Sequence, residues 1–166
     1  MVTRSAKILM TFALSAFAFL VTFNNITDYG SNFEFVKHVF SMDTTFPGNK
    51  AMYRAIETPA LWHAGYWLII AGEGLTFLLF FLGGFRMLAA RTATGAEFDA
   101  SKRLMIMGAT VGFLVWFLGF MVVGGEWFLM WQSSTWNGQD AAFKFYMTIL
   151  GVLIFVVQPE RDSVTP

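Results

Sequence analysis

Four long apolar runs dominate this chain and restrict what it can fold into: Ile8 to Phe23, about Ala60 to Phe85, Leu104 to about Met130, and about Ala141 to Val157. Crossing the hydrocarbon core of a bilayer takes roughly 20 apolar residues as helix, so all four read as transmembrane helices. The second run is broken only by Glu73. The fourth is the shortest and carries Lys144 in its first turn, where the amine must snorkel to the interface. Of 166 residues, 56% are hydrophobic and 13% charged, about half the charged share of an ordinary globular chain. A soluble fold of this size has too much surface for its volume to hide that composition. The expected fold is an all-α integral membrane protein. It has four spans (about 8–23, 60–85, 104–130 and 141–157) in one domain over 1–158, a short-helix cap over 24–59 on the extracytoplasmic side, and a cytoplasmic tail over 159–166.

The chain has no cysteine, which excludes disulfides, thiol catalysis and cysteine-ligated metal. Zero net charge without a basic run argues against nucleic acid as a partner. Arg4 and Lys7 precede the first run and small residues follow at Ala16 and Ala18, as in a signal peptide. The run continues through Phe19, Leu20 and Val21, however, so it reads as an uncleaved anchor. Basic residues near span ends set orientation. Arg4, Lys7, Arg86, Arg91, Lys102, Arg103 and Arg161 fall on one side, against Lys37, Lys50, Arg54 and Lys144 on the other. Both termini are therefore expected in the cytoplasm, with outer segments at about 24–59 and 132–140.

The longer outer segment is patterned. Asn32 is placed to cap a helix through Met42 in which Phe33, Val36 and Phe40 recur at three and four residues. Phe46-Pro47-Gly48-Asn49 is a turn signal, and a second short helix over Lys50 to Ile56 can follow. Thr58-Pro59 suits the start of the second span, with a hydroxyl cap and a proline where no amide donor is needed. The polar stretch from Arg91 to Arg103 makes spans two and three antiparallel neighbours. Gly108, Gly112 and Gly119, Thr11 and Ser15, and Gly65 and Gly72 mark faces where helices approach closely in lipid. Trp62, Trp67, Trp127, Trp131 and Trp136 read as an interfacial belt, and only Trp116 lies deep in a span. The aromatic surface equally suits protein packing or a flat crevice for a quinone tail or lipid.

The sharpest candidate for chemistry is a polar stripe on the second span. His63, Tyr66, Ile70 and Glu73 follow a three-four-three spacing and share one helical face. Glu73 falls roughly 15 Å below His63, near the expected bilayer midplane. An ionised carboxylate there costs several kcal/mol, as an order of magnitude, unless it is protonated, paired or hydrated. It is either a proton-handling or ligand-contacting group, or a structural acid bonded to Thr76 or to a neighbouring helix. Glu126 and Lys144 lie nearly symmetrically about Trp136-Asn137-Gly138 and are expected to pair; the alternative brings Glu126 to His63 in an outer pocket. His38 and His63 are the only histidines. Together with carboxylates such as Glu34, Asp43 or Glu126 they are the residues a metal or haem would use. His38, Asp43 and Asp28 are the outer-cap candidates. No metal site or cofactor is assigned; haem and quinone remain as alternatives.

The stretch Asn25-Ile26-Thr27-Asp28-Tyr29, continuing through Asn32, Phe35-Val36, His38-Val39 and Ser41-Met42-Asp43-Thr44-Thr45, resembles a known family, and Arg54-Ala55-Ile56, His63, Glu73 and Gly125-Glu126-Trp127 extend the match. It is similar to the bacterial predicted small integral membrane proteins grouped as domain-of-unknown-function family 2165. The resemblance spans nearly the whole chain. It implies a bacterial inner-membrane protein with four spans, and it supplies no activity and no functional residues. No phosphate-binding glycine loop, serine nucleophile elbow or zinc-protease motif is present. The leading expectation is a non-enzymatic small membrane protein, an auxiliary or assembly subunit of a larger membrane complex. The alternatives are a quinone-, lipid- or haem-binding protein using the His63/Tyr66/Glu73 face, and a small proton-coupled transporter centred on Glu73.

Overall fold

The computed structural model describes residues 1–160; of the tail expected over 159–166, Arg161 onward lies outside the described residues. Among them the regular structure is all helical. Helix α1 (Val2–Thr27) is followed by α2 (Tyr29–Ser41), α3 (Pro59–Ala89), α4 (Gly95–Ser101) and α5 (Arg103–Phe113). α5 passes without a break into a π-helical stretch (Leu114–Trp127), and α6 (Gln139–Val156) closes the order. Among the described residues four helices are long and apolar enough to cross a membrane: Val2–Thr27, Pro59–Ala89, Gly95–Trp127 and Gln139–Val156.

α1 packs along α3, α3 along α5, and α5 with its π-helical continuation along α6, which returns to α1. The core between them holds Phe80, Met87, Met105, Trp116, Ile149 and Val156, all buried. Glycine permits the close crossings. A Cβ on Gly83 would stand 2.8 Å from the Met105 backbone nitrogen, and one on Gly112 would stand 2.9 Å from Ile149. Gly83-Gly84 is thus a packing position between α3 and its neighbours α5 and α1. Gly119 does not extend the Gly108–Gly112 contact: a Cβ there would come no closer than 3.9 Å, to the Leu114 carbonyl.

The segment between α1 and α3 folds against one end of the bundle. α2 begins at Tyr29 rather than Asn32, because the Asn32 amide is drawn to Asn25 (2.8 Å) instead of capping its own helix. The helix ends at Met42, whose φ of 53° turns the chain back. The 46–49 turn forms with Gly48 at φ 75°. Only Met52–Arg54 of the expected second helix coils, as a single 3-10 turn, because the Ile56 amide is taken by the Phe40 carbonyl at 2.8 Å. Pro59 opens α3 as expected, but the Thr58 hydroxyl makes no capping bond. The third long helix stops at Trp127, short of Met130: Leu129 turns at φ 54°, and Phe128 and Met130 fold inward against Val39 and Met42.

The π-helical register has no hydropathy signature. It is visible in the bond from the Phe128 amide to the Val123 carbonyl, five residues back, and such stretches are rare and usually short. At the opposite end α4 is fixed by a capping box, the Thr94 hydroxyl accepting from the Glu97 amide and the Glu97 carboxylate from the Thr94 amide.

Candidate functional site

The polar face of α3 forms, and it is divided by depth. Tyr66, Ile70 and Glu73 are buried, whereas His63, nearer the start of the helix, is exposed. Asn25, in the last turn of α1, joins the buried members. Its amide Nδ2 donates to Glu73 Oε2 at 2.7 Å, its Oδ1 accepts from Asn32 Nδ2 at 2.8 Å, and its backbone carbonyl accepts from the Tyr66 hydroxyl at 3.1 Å. Three helices are thereby pinned at one residue. Thr76 spends its hydroxyl on the Gly72 carbonyl of its own helix, so the carboxylate's partner is the neighbouring helix.

Glu73 falls midway along α3. It lies level with the end of α1, where Asn25 meets it. Length reconciles the two: α3 has 31 residues, well beyond the roughly 20 needed to span, and its first turns rise beside α2.

His63 Nδ1 and the Tyr29 hydroxyl lie 2.7 Å apart, and Phe33 stacks on the imidazole with centroids 4.2 Å apart. His38 is engaged elsewhere. Its Nδ1 meets Asp43 at 2.7 Å, its Nε2 meets Glu34 at 3.6 Å, and its ring stacks on Trp136 at 4.7 Å. The hydrogen bond from Lys37 holds the Glu34 carboxyl below the usual range against some desolvation, and the charges of Lys37 and His38 add to it. Asp28 accepts from the Ser31 hydroxyl at 2.9 Å at the start of α2. Each histidine thus fastens a different part of the cap. Among the described residues no group of three or more His, Asp or Glu side chains is placed to hold a metal ion.

Glu126 and Lys144 do not pair. Lys144 bonds Asp140 at 2.6 Å, a partner four residues back on its own helix that needs no tertiary alignment. Glu126 is exposed at the end of the π-helical stretch, and no bond joins it to His63.

Two features lie outside the candidate residues singled out by the sequence. The first is an ionic latch at the end opposite the cap. Lys7 and Lys102 are 1% and 2% exposed. Lys7 Nζ donates to the Gln158 carbonyl and to Glu160 Oε1, both at 2.7 Å; Lys102 Nζ donates to the same carbonyl at 2.9 Å and to Asp99 at 2.6 Å. Arg4 Nε reaches Glu160 Oε2 at 3.3 Å, and its Nη1 donates to the Ala93 carbonyl at 2.6 Å. Burial alone would raise the Glu160 carboxyl, but Lys7 and Arg4 hold it below the ordinary glutamate value. By sequence these cations carry only an orientation signal, and the one local hint of the latch is Lys7, a lysine one turn inside an apolar helix. The second feature is a pair of apolar crevices. One, of about 350 Å³, lies between α3 and the π-helical stretch and is lined by Gly65, Leu68, Gly72, Leu118 and Gly119 among others. The other, of about 290 Å³, lies between α1 and α6.

No curated protein and no solved structure matches the chain. The family described as predicted small integral membrane protein (DUF2165) matches residues 3–159, and the chain belongs to that family.

Proposed function

Taking this member of the small integral membrane protein family as a multi-pass membrane protein, we propose that it is a non-enzymatic accessory or assembly subunit that docks sideways against a larger complex in the bacterial inner membrane, with both termini in the cytoplasm and the cap outside. The observation that carries the reading is Gly119. It lines the crevice between α3 and the π-helical stretch, yet a Cβ there would meet nothing closer than the Leu114 carbonyl at 3.9 Å. The bundle's own packing does not require a glycine at this position. A small residue that opens a groove on a lipid-facing surface serves close approach by another helix.

The rest of the molecule is consistent with a scaffold. Glu73, Tyr66, His63 and His38 are each spent on holding one segment to another, and Tyr66 and Glu73 are each 2% exposed. Phe46, Tyr53, Trp127 and Trp131 are exposed on the cap side, and Arg54 lies over the Trp127 ring at 5.0 Å. That aromatic rim suits the interfacial zone and a partner's outer surface alike.

The test is native electrophoresis of tagged chain extracted from its own membrane in several mild detergents. Wild type should migrate in a larger assembly, and Gly119→Leu, whose Cβ would meet nothing closer than 3.9 Å in the chain, should release it as a folded free subunit. Migration of wild type as a free monomer in every detergent refutes the proposal. So does an assembly that is indifferent to Gly119→Leu.

A further inference from the structure

The latch and the second crevice lie end to end. The α1–α6 groove is lined by Met10, Ala13, Phe17, Phe145, Ile149 and Val152 among others. It begins one helical turn beyond Lys7 on α1. On α6 it begins one turn before Phe155, whose ring centroid lies 5.8 Å from Lys7 Nζ. An apolar trough that ends in buried cations has the form of an amphiphile site. We propose that this groove binds an anionic phospholipid, with one acyl chain along Met10 to Phe17 and the phosphate meeting Arg4 and Lys7 in place of the Glu160 carboxylate.

Charge complementarity selects this occupant. Arg4, Lys7 and Lys102 face two carboxylates, Asp99 and Glu160, so the cluster retains excess positive charge even when closed. Arg91 and Arg103 are exposed at the same end. Basic pockets between transmembrane helices characteristically take anionic headgroups, whereas a zwitterionic lipid would bring its own cation against Arg4. The groove follows α1 only from Met10 to Phe17, about 10 Å of helix, and suits a flexible chain better than a helix about 10–12 Å across. Glu160 stands in for the phosphate in geometry as well as charge: its two oxygens contact two different cations of α1. This inference is independent of the accessory-subunit reading, which concerns the other crevice.

Native mass spectrometry of the purified full chain in mild detergent tests it, with phosphatidylglycerol, phosphatidylcholine and glycerol 3-phosphate titrated separately. Phosphatidylglycerol should appear as one resolved adduct at concentrations where the other two do not. Glu160→Gln removes the competing charge and should tighten phosphatidylglycerol about fivefold, on the order of one interfacial charge. Ala13→Phe, at an exposed position in the groove, should weaken it about tenfold with an unchanged far-ultraviolet circular dichroism spectrum. Equal retention of the two lipids overturns the proposal, as does binding indifferent to Ala13→Phe, the outcome expected if the groove takes a protein helix. Glycerol 3-phosphate binding as tightly as the lipid removes the role of the chain, and weaker binding in Glu160→Gln removes the displacement.

Discussion

Asn25→Ala is the perturbation that most sharply separates a structural Glu73 from a working one. Asn25 is 8% exposed and Glu73 2%, and their hydrogen bond measures 2.7 Å. The substitution removes the donor to Glu73 and the acceptor for Asn32, but spares the Tyr66 bond, which goes to the backbone carbonyl. Asn32 is exposed, so water can take Asn25's place there at little cost. The stranded group is the Glu73 carboxyl. Interhelical hydrogen bonds in membranes contribute about 0.6 kcal/mol on average, while leaving a buried polar group without its partner costs about 1–3 kcal/mol. The expected loss is therefore about 1–3 kcal/mol. Glu73→Gln keeps the volume and an oxygen that accepts from Asn25, and should cost less than about 1 kcal/mol. Reversible unfolding in mixed micelles of dodecyl maltoside and dodecyl sulfate, followed by circular dichroism, measures both. The reasoning is refuted if Asn25→Ala costs less than about 0.5 kcal/mol, or if Glu73→Gln is as damaging as Asn25→Ala.

Gly83→Ala forces a Cβ against the Met105 backbone nitrogen and should destabilise the α3–α5 crossing by about 1–3 kcal/mol in the same assay; a neutral result would mean that the two helices are not packed at this point. The latch gives a pH dependence whose sign follows from Glu160. A carboxyl held below its unfolded value stabilises the fold above about pH 4.3, and that contribution drains away as pH falls through the folded value. Thermal midpoints of wild type should drop below that pH more steeply than those of Glu160→Gln, and parallel curves would contradict the assignment.

The spans were legible because lipid imposes a simple rule, a run of about 20 apolar residues, that needs no partner to be recognised. The resemblance carried by Asn25 to Thr45 held for the same reason that it was visible: a dense local motif. What depended on relative rotation was not legible. Asn25 and Glu73 stand 48 residues apart, and nothing in either helix alone selects the other. Asp140 displaced Glu126 as the partner of Lys144 because a partner four residues away on one helix wins over a tertiary one. The π-helical register leaves apolar composition unchanged and so left no trace. The Thr94–Glu97 capping box, in contrast, was present as a local signal in a stretch read only as a linker.

The proposed orientation sets the cap outside and the latch in the cytoplasm. The chain has no cysteine, so single-cysteine labelling reads its topology without background. Ser134→Cys, exposed between Trp131 and α6, and Thr92→Cys, exposed between α3 and α4, place one thiol at each end. With a membrane-impermeant maleimide, intact cells should label position 134 and should label position 92 only after lysis. Equal labelling of both in intact cells, or the reverse pattern, would contradict the account.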